Sequence, residues 1–291
     1  IKMNYILSIL LLNRNNSDDV LAIYEDLKNQ TFQNFNVVII DDNSDASELK
    51  KLSQMNDDRV LVYSYESPWK FGIDKKFNYG MKKSINTGST YTYNLQTDME
   101  INSIDLLEKL ISYMEGNNEC GAACPTIFDS NGKMAWGPGI EKSRMGKTYN
   151  INESIIFRNS VIEKMGYVNE KLIYYGSEFY YQNWMKINNY TTAPIEGVSI
   201  THKSGGTSSQ YWDYKFYYRP RTTILIMKLF NKDDGLLQKI IYLRQECSEI
   251  EARLKEYIRG ANIFGFIKLS FIFIIGLLSG LITHIKTIEN P

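Results

Sequence analysis

The chain has 291 residues, 43% of them apolar, enough for one large domain or two small ones around a buried core. Its 33 Lys and Arg cancel its 33 Asp and Glu, which removes the electrostatic case for nucleic acid as the main partner. Three cysteines, Cys120, Cys124 and Cys247, do not make a disulfide framework, and with only His202 and His284 beside them a zinc cage is not expected; a reduced, cytosolic setting follows.

In chain order, short apolar runs alternate with amphipathic segments. Tyr5 to Leu12 passes straight into Asn13-Arg14-Asn15-Asn16 without a small-residue cleavage site, so it reads as a first strand rather than a signal peptide. A helix capped near Ser17 or Asp18 carries Val20, Ile23, Tyr24 and Leu27. Val37 to Ile40 is a second strand, followed at once by Asp41-Asp42-Asn43-Ser44. A helix through Leu49 and Leu52, a strand at Val60 to Val62 and a helix from about Asp74 to Ile85 come next. The central stretch is Tyr91 to Glu100, where β-branched and aromatic residues alternate up to Leu95 and the run stops at Asp98. Asn102-Ser103 then offers a cap for a helix carrying Ile104, Leu107 and Ile111, and Gly121 to Pro125 is a further strand. Strand and helix in alternation predict an α/β fold with a mainly parallel sheet, whose ligands bind at the carboxyl ends of the strands.

Neither G-x-G-x-x-G nor G-x-x-x-x-G-K-[ST] follows the first strand, so a dinucleotide or P-loop reading loses its support. The strand ends offer instead Asn13, Asp41, Asp42 and Asp98. A carboxylate accepts from the imide N–H of uracil or thymine, amides and hydroxyls suit sugars, and a carboxylate can hold a divalent cation and through it a diphosphate. Taken singly, each aspartate is as well explained as a cap for the helix after it.

As an ordered set, these stretches resemble family 2 glycosyltransferases of the GT-A (Rossmann-like) fold. The likeness runs from Ile6 to about Arg221 and is carried by Ser8 to Arg14, Leu27 to Phe32, Val37 to Ser44, the spacing of Gly72, Asn78 and Gly80, and Met165 to Glu170 followed by Tyr174 to Glu178. It implies a mixed, mainly parallel sheet flanked by helices over residues 1–215, with a C-terminal helical extension over 216–291. It also implies inverting transfer of a sugar from a UDP or dTDP donor. By position, Leu11, Asn13, Asp41, Asp42, Lys76, Asn78, Gln96 and Asp98 fall on the donor side, and Trp136 and Ser177 on the acceptor side. Glu178 is the implied general base, and Asp98 with His202 the implied holders of Mn²⁺ or Mg²⁺.

The departures are specific. Gln96-Thr97-Asp98 stands where the family has Asp-x-Asp, which predicts weaker metal binding; Phe77 replaces an Arg, leaving Lys75 or Lys76 for the phosphates; Glu178 replaces an Asp. The lost carboxylate also motivates an alternative, a weak or inactive relative that binds nucleotide-sugar or glycan. His202 runs into the glycine loop Gly205-Gly206, and a surface histidine is as good a reading of it. Glu178 in a first helical turn is favoured by the helix dipole alone. Trp136, Trp69 and the Gln210-Tyr211-Trp212 loop could stack on sugar rings or simply pack.

Leu236 to Ile258 reads as one amphipathic helix with Ile240, Leu243, Cys247, Ile250, Leu254 and Tyr257 in a stripe, for packing on the parent domain or for a homodimer. Ile263 to Ile285 is long and apolar enough to span a bilayer, to form an in-plane helical hairpin bent at Gly276 or Gly280, or to be a buried helix. Lys239, Arg244, Arg253, Lys255 and Arg259 just before it predict a cytoplasmic protein, peripheral to or anchored at the inner face of the cell membrane. Ile275 to Leu281 and Tyr217 to Arg221 resemble rhamnosyltransferase-like members, which act on lipid-linked saccharides in bacterial capsule and surface-polysaccharide synthesis; Arg219 or Arg221 would neutralise a diphosphate or a lipid headgroup.

Overall fold

Two runs of aliphatic residues, uninterrupted by the alternation of a half-exposed strand, form the centre of a sheet covered on both faces. In the computed structural model, which describes residues 5–66, 73–140, 142–203 and 212–285, the chain begins β1 (Leu7–Asn13), α1 (Ser17–Lys28), β2 (Phe35–Asp42), α2 (Ala46–Leu52), β3 (Val60–Tyr65), α3 (Ile73–Ile85), β4 (Tyr91–Asn94), β5 (Met99–Ile101), α4 (Leu106–Gly116) and β6 (Cys120–Phe128). It continues β7 (Met134–Trp136), β8 (Lys142–Arg144), β9 (Lys147–Tyr149), β10 (Ile155–Arg158), α5 (Asn159–Met165), α6 (Ser177–Ile187), β11 (Thr191–His202), α7 (Trp212–Phe230), α8 (Leu236–Glu246), α9 (Ser248–Arg259) and α10 (Ile263–Ile282). Trp69, Gly72, Gly205, Gly206, Gln210 and Tyr211 lie outside the described residues.

Among the described residues, nine strands form a mixed sheet in the order β3-β2-β1-β4-β10-β6-β11-β5, with β7 on β6, while β8 and β9 pair separately. β3-β2-β1-β4 is one parallel block, with Leu7 to Asn13 facing Phe35 to Asp41 in register, and β6 and β11 pair parallel as well. β10 runs antiparallel to both β4 and β6, which makes the sheet mixed. Every residue of β2 is buried, and all of β1 except Leu12. Cys120 and Cys124 are buried thiols in β6, as small apolar residues would be, and burial pushes the Cys124 thiol up to about 12.

The chain divides into two compact units. One comprises Ile1–Glu141, Asn150–Val168 and Trp184–Ser204; the other comprises Lys142–Tyr149, Asn169–Asn183 and Gly205–Pro291. In the first, α3 packs on the sheet through Gly80, where a Cβ would lie 2.6 Å from Leu10 Cδ1 and 3.1 Å from Ile40 Cγ1. Gly80 thus sets how closely helix and sheet approach. In the second, Phe216, Cys247, Ile250 and Leu269 form a buried cluster joined by Leu243, Leu254 and Tyr257.

Four expectations are corrected. The central strand ends at Asn94, and Asp98 sits in a turn before the short strand β5, because Gln96 O accepts from Met99 N–H and reverses the chain. Asp41 and Asp42 are the last residues of β2 rather than a loop beyond it. Ile104 is 65% exposed and precedes α4, whose N-cap is Asp105. The segment from Leu236 to Ile258 is two helices, broken at Cys247. Of the expected stripe, Leu243, Cys247, Ile250, Leu254 and Tyr257 pack into the buried cluster of their own unit, while Ile240 is 54% exposed. Of the described helices, α10 is long and apolar enough to cross a membrane.

Candidate active site

Because β1, β2 and β4 are parallel neighbours, their carboxyl ends come out at one edge of the sheet, and the polar residues that follow them meet there. Asn13 Nδ2 donates to Asp41 Oδ1 at 2.7 Å and to the Ser17 and Ser44 hydroxyls at 3.3 and 3.4 Å. Asp41 in turn accepts from Ser44 N–H at 3.1 Å and from the Ser44 hydroxyl at 2.6 Å, the hydrogen bonds of a turn. Asp41 is therefore occupied in shaping the loop. Asp42, also buried, faces the other way chemically: Lys76 Nζ lies 3.3 Å and Arg14 Nη1 3.4 Å from its Oδ2. Burial pushes the Lys76 ammonium down, and the carboxylate of Asp42 opposes that shift.

The loop after β1 links this cluster to the Asp98 turn. Asn15 N–H donates to Ser44 Oγ at 2.8 Å and Asn15 Oδ1 accepts from Asp45 N–H at 2.7 Å, while Asn16 Nδ2 reaches Thr97 Oγ1 at 3.3 Å. Gln96 N–H is held by Ser154 Oγ at 3.3 Å. At the end of β11, Lys203 N–H donates to Asp98 O at 2.9 Å, which brings His202 Nε2 to 3.0 Å from Asp98 Oδ2. On its other side, His202 Nδ1 lies 3.8 Å from Glu153 Oε2. The two carboxylates, Asp98 foremost, hold the imidazole pKa above its usual value.

Glu153 is the site residue that sequence reasoning missed. Its signal was faint: a lone carboxylate in the polar run before β10, where Glu153 and Ser154 both adopt positive φ, 45° and 39°. Such backbone is uncommon outside glycine and collects at functional sites.

His202 Nε2 and Asp98 Oδ2 are joined by a hydrogen bond, and a divalent ion taking both atoms as ligands would have to displace its proton. Ligand atoms about 2.1 Å from an octahedral metal and at right angles are about 3 Å apart, and the observed separation is 3.0 Å. Among the described residues no third His, Cys, Asp or Glu completes a cage. An ion held here would draw its other ligands from water and from a substrate diphosphate, as magnesium commonly does.

The remaining expected residues each have their own surroundings. Leu11 is fully buried in β1, so only its backbone could meet a donor. Asn78 is buried in α3 and donates to Val168 O at 2.9 Å, which makes it a strut. Trp136 is 1% exposed with its indole N–H given to Asn150 O at 2.9 Å, so it packs the interior and presents no face to a sugar. Arg219 pairs with Glu249 at 2.7 Å, and Arg221 is buried, donating to Lys171 O at 2.6 Å. Ser177 and Glu178, in the second unit, open α6, with Gly176 O accepting from Tyr180 N–H at 2.8 Å. The approach to that helix is strained, with φ of 68° at Ile173 and 70° at Tyr175. Thr222 Oγ1 pins this loop by donating toward Leu172 O and Tyr174 O at 3.1 and 2.8 Å.

The fold is similar to that of several solved sugar transferases. Staphylococcus aureus TarS (residues 1–349) is 15% identical, with a TM-score of 0.58 over 82% of this chain and 70% of that one. The mannosyltransferase PcManGT of Pyrobaculum calidifontis, solved with GDP-Man and Mn²⁺, is 10% identical, with a TM-score of 0.58 over 96% and 86% of the two chains. GalNAc-T7, solved with UDP, GalNAc and Mn²⁺, is 11% identical, with a TM-score of 0.57 over 82% and 54%. No curated protein matches the chain. The mixed sheet and the likeness to these structures define the class of fold, GT-A. The family model for glycosyl transferase family 2 matches residues 8–171, and the chain belongs to that family.

Proposed function

We propose that the protein transfers one sugar, with inversion, from a UDP- or dTDP-sugar to a lipid-linked saccharide at the inner face of a bacterial cell membrane. In this reading it belongs among the rhamnosyltransferase-like members that build capsule and surface polysaccharide. The observation that carries the reading is the shared sheet edge, where the Asn13–Asp41–Ser44 turn, the Asp42–Lys76 pair and the Asp98–His202 pair are tied together through Asn15 and Asn16. Asp42 would accept from the base imide while Lys76 and Arg14 offset phosphate charge. Asp98 and His202 would hold Mn²⁺ or Mg²⁺, which when bound neutralises the departing diphosphate. Glu178 would take the proton of the attacking hydroxyl.

The test is transfer or donor hydrolysis with Mn²⁺ across a panel of nucleotide sugars. Asp98→Ala and Glu178→Gln are expected to lose about a hundredfold or more in kcat, as for removal of a transition-state charge partner or a general base; unchanged turnover in both would overturn the assignment. A second reading has its own observation: Gln96 replaces a carboxylate and no third metal-ligating group stands by among the described residues. A catalytically weak relative that binds nucleotide-sugar or glycan would show a nucleotide-dependent thermal shift without turnover.

A further inference from the structure

We propose that α10 is a seat for an anionic lipid surface, lying in the plane of the bilayer with one face inserted and the other fixed to its own unit. This deepens, and for its setting rests on, the membrane-surface location proposed above; it does not depend on the sugar chemistry.

One side of α10 is already taken. Gly276 and Gly280, four residues apart, press against α7 so closely that a Cβ would stand 2.3 Å from Tyr217 O at the first and 2.9 Å from Arg221 O at the second. Between them Ser279 Oγ receives Tyr217 Oη–H at 2.9 Å and Arg221 Nε–H at 3.3 Å. Lys228 Nζ closes the helix end on the carbonyls of Gly280, Leu281 and Thr283 at 2.9, 2.7 and 3.0 Å. At the start, Asn262 Oδ1 caps Gly265 N–H at 2.8 Å and Lys268 pairs with Asp213 of α7 at 2.6 Å. The helix is docked along its length.

The opposite side is an apolar stripe with no cover. Ile263, Ile267, Phe271, Ile274, Leu278 and Leu281 follow one another at steps of four, four, three, four and three, and each is 51 to 67% exposed. No polar residue interrupts that line. A stripe so long and so exposed marks a contact surface.

Charge selects the occupant. From residue 205 to 291 the sequence has twelve Lys and Arg against eight Asp and Glu, a surplus of four in a chain whose total is zero. α10 carries no carboxylate, and cations gather at both of its ends: Arg259 before the start, with Lys268 in the second turn shared with Asp213, and at the finish Lys228 together with Lys171, whose Nζ donates to His284 O at 2.7 Å. A two-fold pairing of α10 with a second copy, in either direction, brings cationic ends together. Anionic headgroups meet the same ends with attraction.

A transmembrane placement is disfavoured by α7. That helix runs against α10 and carries Asp213, Lys215, Arg219, Arg221 and Lys228, all of which would be drawn toward hydrocarbon if α10 crossed the bilayer. Lying in the interface, α10 inserts its stripe and leaves α7 on the aqueous side.

The test uses the 291-residue chain, its Phe271→Glu/Ile274→Glu variant and an Arg259→Gln/Lys268→Gln variant, with vesicles of phosphatidylcholine alone or with a third phosphatidylglycerol. Circular dichroism and thermal melting establish that each variant is folded. The parent chain is expected to co-sediment with the anionic vesicles, the glutamate variant to bind at least tenfold more weakly, and the glutamine variant to lose most of its preference for phosphatidylglycerol. A fluorophore on Ile274→Cys is expected to be quenched by nitroxides near the headgroups more than by nitroxides at the acyl ends. Quenching strongest at the acyl ends, with resistance to alkaline extraction, would overturn the in-plane placement in favour of a span. A concentration-dependent dimer abolished by the glutamates, with no vesicle binding, would overturn it in favour of a second copy. A monomer that ignores vesicles would overturn it outright. None of these readouts uses a donor sugar, so sugar transfer can fail while the seat stands, and the reverse.

Discussion

At the scale of single residues, adjacent carboxylates on one strand do different work, and substitution should separate them. Asp41 accepts two hydrogen bonds from Ser44 and one from Asn13 in a buried turn, so Asp41→Ala is expected to cost about 1–3 kcal/mol of stability, the penalty for leaving buried donors unsatisfied. Asp42→Asn takes the charge partner from the buried Lys76, so it should lower the urea midpoint as well, and unlike Asp41→Ala it should also lower the thermal stabilisation gained per nucleotide added; urea titration and thermal shift on both variants check this. A second residue-scale case is Asp57. Arg59 Nη2 lies 2.9 Å from Asp57 Oδ2 and Tyr24 donates its hydroxyl to the same carboxylate, so chiefly the guanidinium holds Asp57 well below the usual carboxylate range. A folded pKa below the unfolded one contributes stability that is full above about pH 4 and disappears as the pH falls through the folded value. Asp57→Asn is therefore expected to cost on the order of 1 kcal/mol at pH 7, and little in strong acid, where both proteins carry a neutral group. A loss that does not begin to shrink as the pH is taken from 4 to 2 in urea titrations would show that the cost is steric. The residue types of the polar sheet edge were legible because they follow apolar strands directly. Glu153 and the interior role of Trp136 were not, since both depend on which distant segment the chain lays beside them, His202 in one case and Asn150 in the other.

At the scale of elements, the hydrophobic pattern located β1, β2, α1 and α3 to within a few residues because each is long and periodic. It failed where geometry is set by tertiary contact. β5 is three residues long and exists because β11 pairs with it antiparallel, a partner a hundred residues away. The break between α8 and α9 falls at Cys247 without Pro or Gly to mark it, and lets the α9 stripe close on Phe216 and Leu269. Glycines that looked like loop or motif residues prove to be close-approach positions inside helices. Gly80→Ala places a methyl 2.6 Å from a buried Leu10 methyl, and overpacking of this kind costs about 1–3 kcal/mol. The urea midpoint should fall accordingly with the m-value unchanged. Gly276→Ala meets backbone rather than side chain, at 2.3 Å from Tyr217 O, so α10 must shift bodily. The expected result is loss of protection from hydrogen exchange at Ser279 and Leu281 with α1 and α3 unaffected.

At the scale of the whole molecule, a net charge of zero conceals a division along the chain: residues 205–291 carry a surplus of four positive charges, and the remainder carries the compensating negative ones. Composition alone set aside nucleic acid on the total, but a lipid surface reads the local surplus, because fields beyond a Debye length of roughly 8 Å at physiological salt are screened. Two forces then act on α10 with different salt dependence. Insertion of its stripe is apolar and nearly indifferent to salt, whereas attraction of Arg259, Lys268, Lys228 and Lys171 to anionic headgroups is screened. Raising sodium chloride from about 0.05 to 0.5 M shortens the screening length roughly threefold. It is expected to weaken binding to phosphatidylglycerol vesicles severalfold toward the level seen with neutral vesicles, and to leave that neutral level in place. Complete release at high salt would mean that charge alone holds the protein. No salt effect would mean that the cations at the helix ends stay in water, and that the stripe does all the binding.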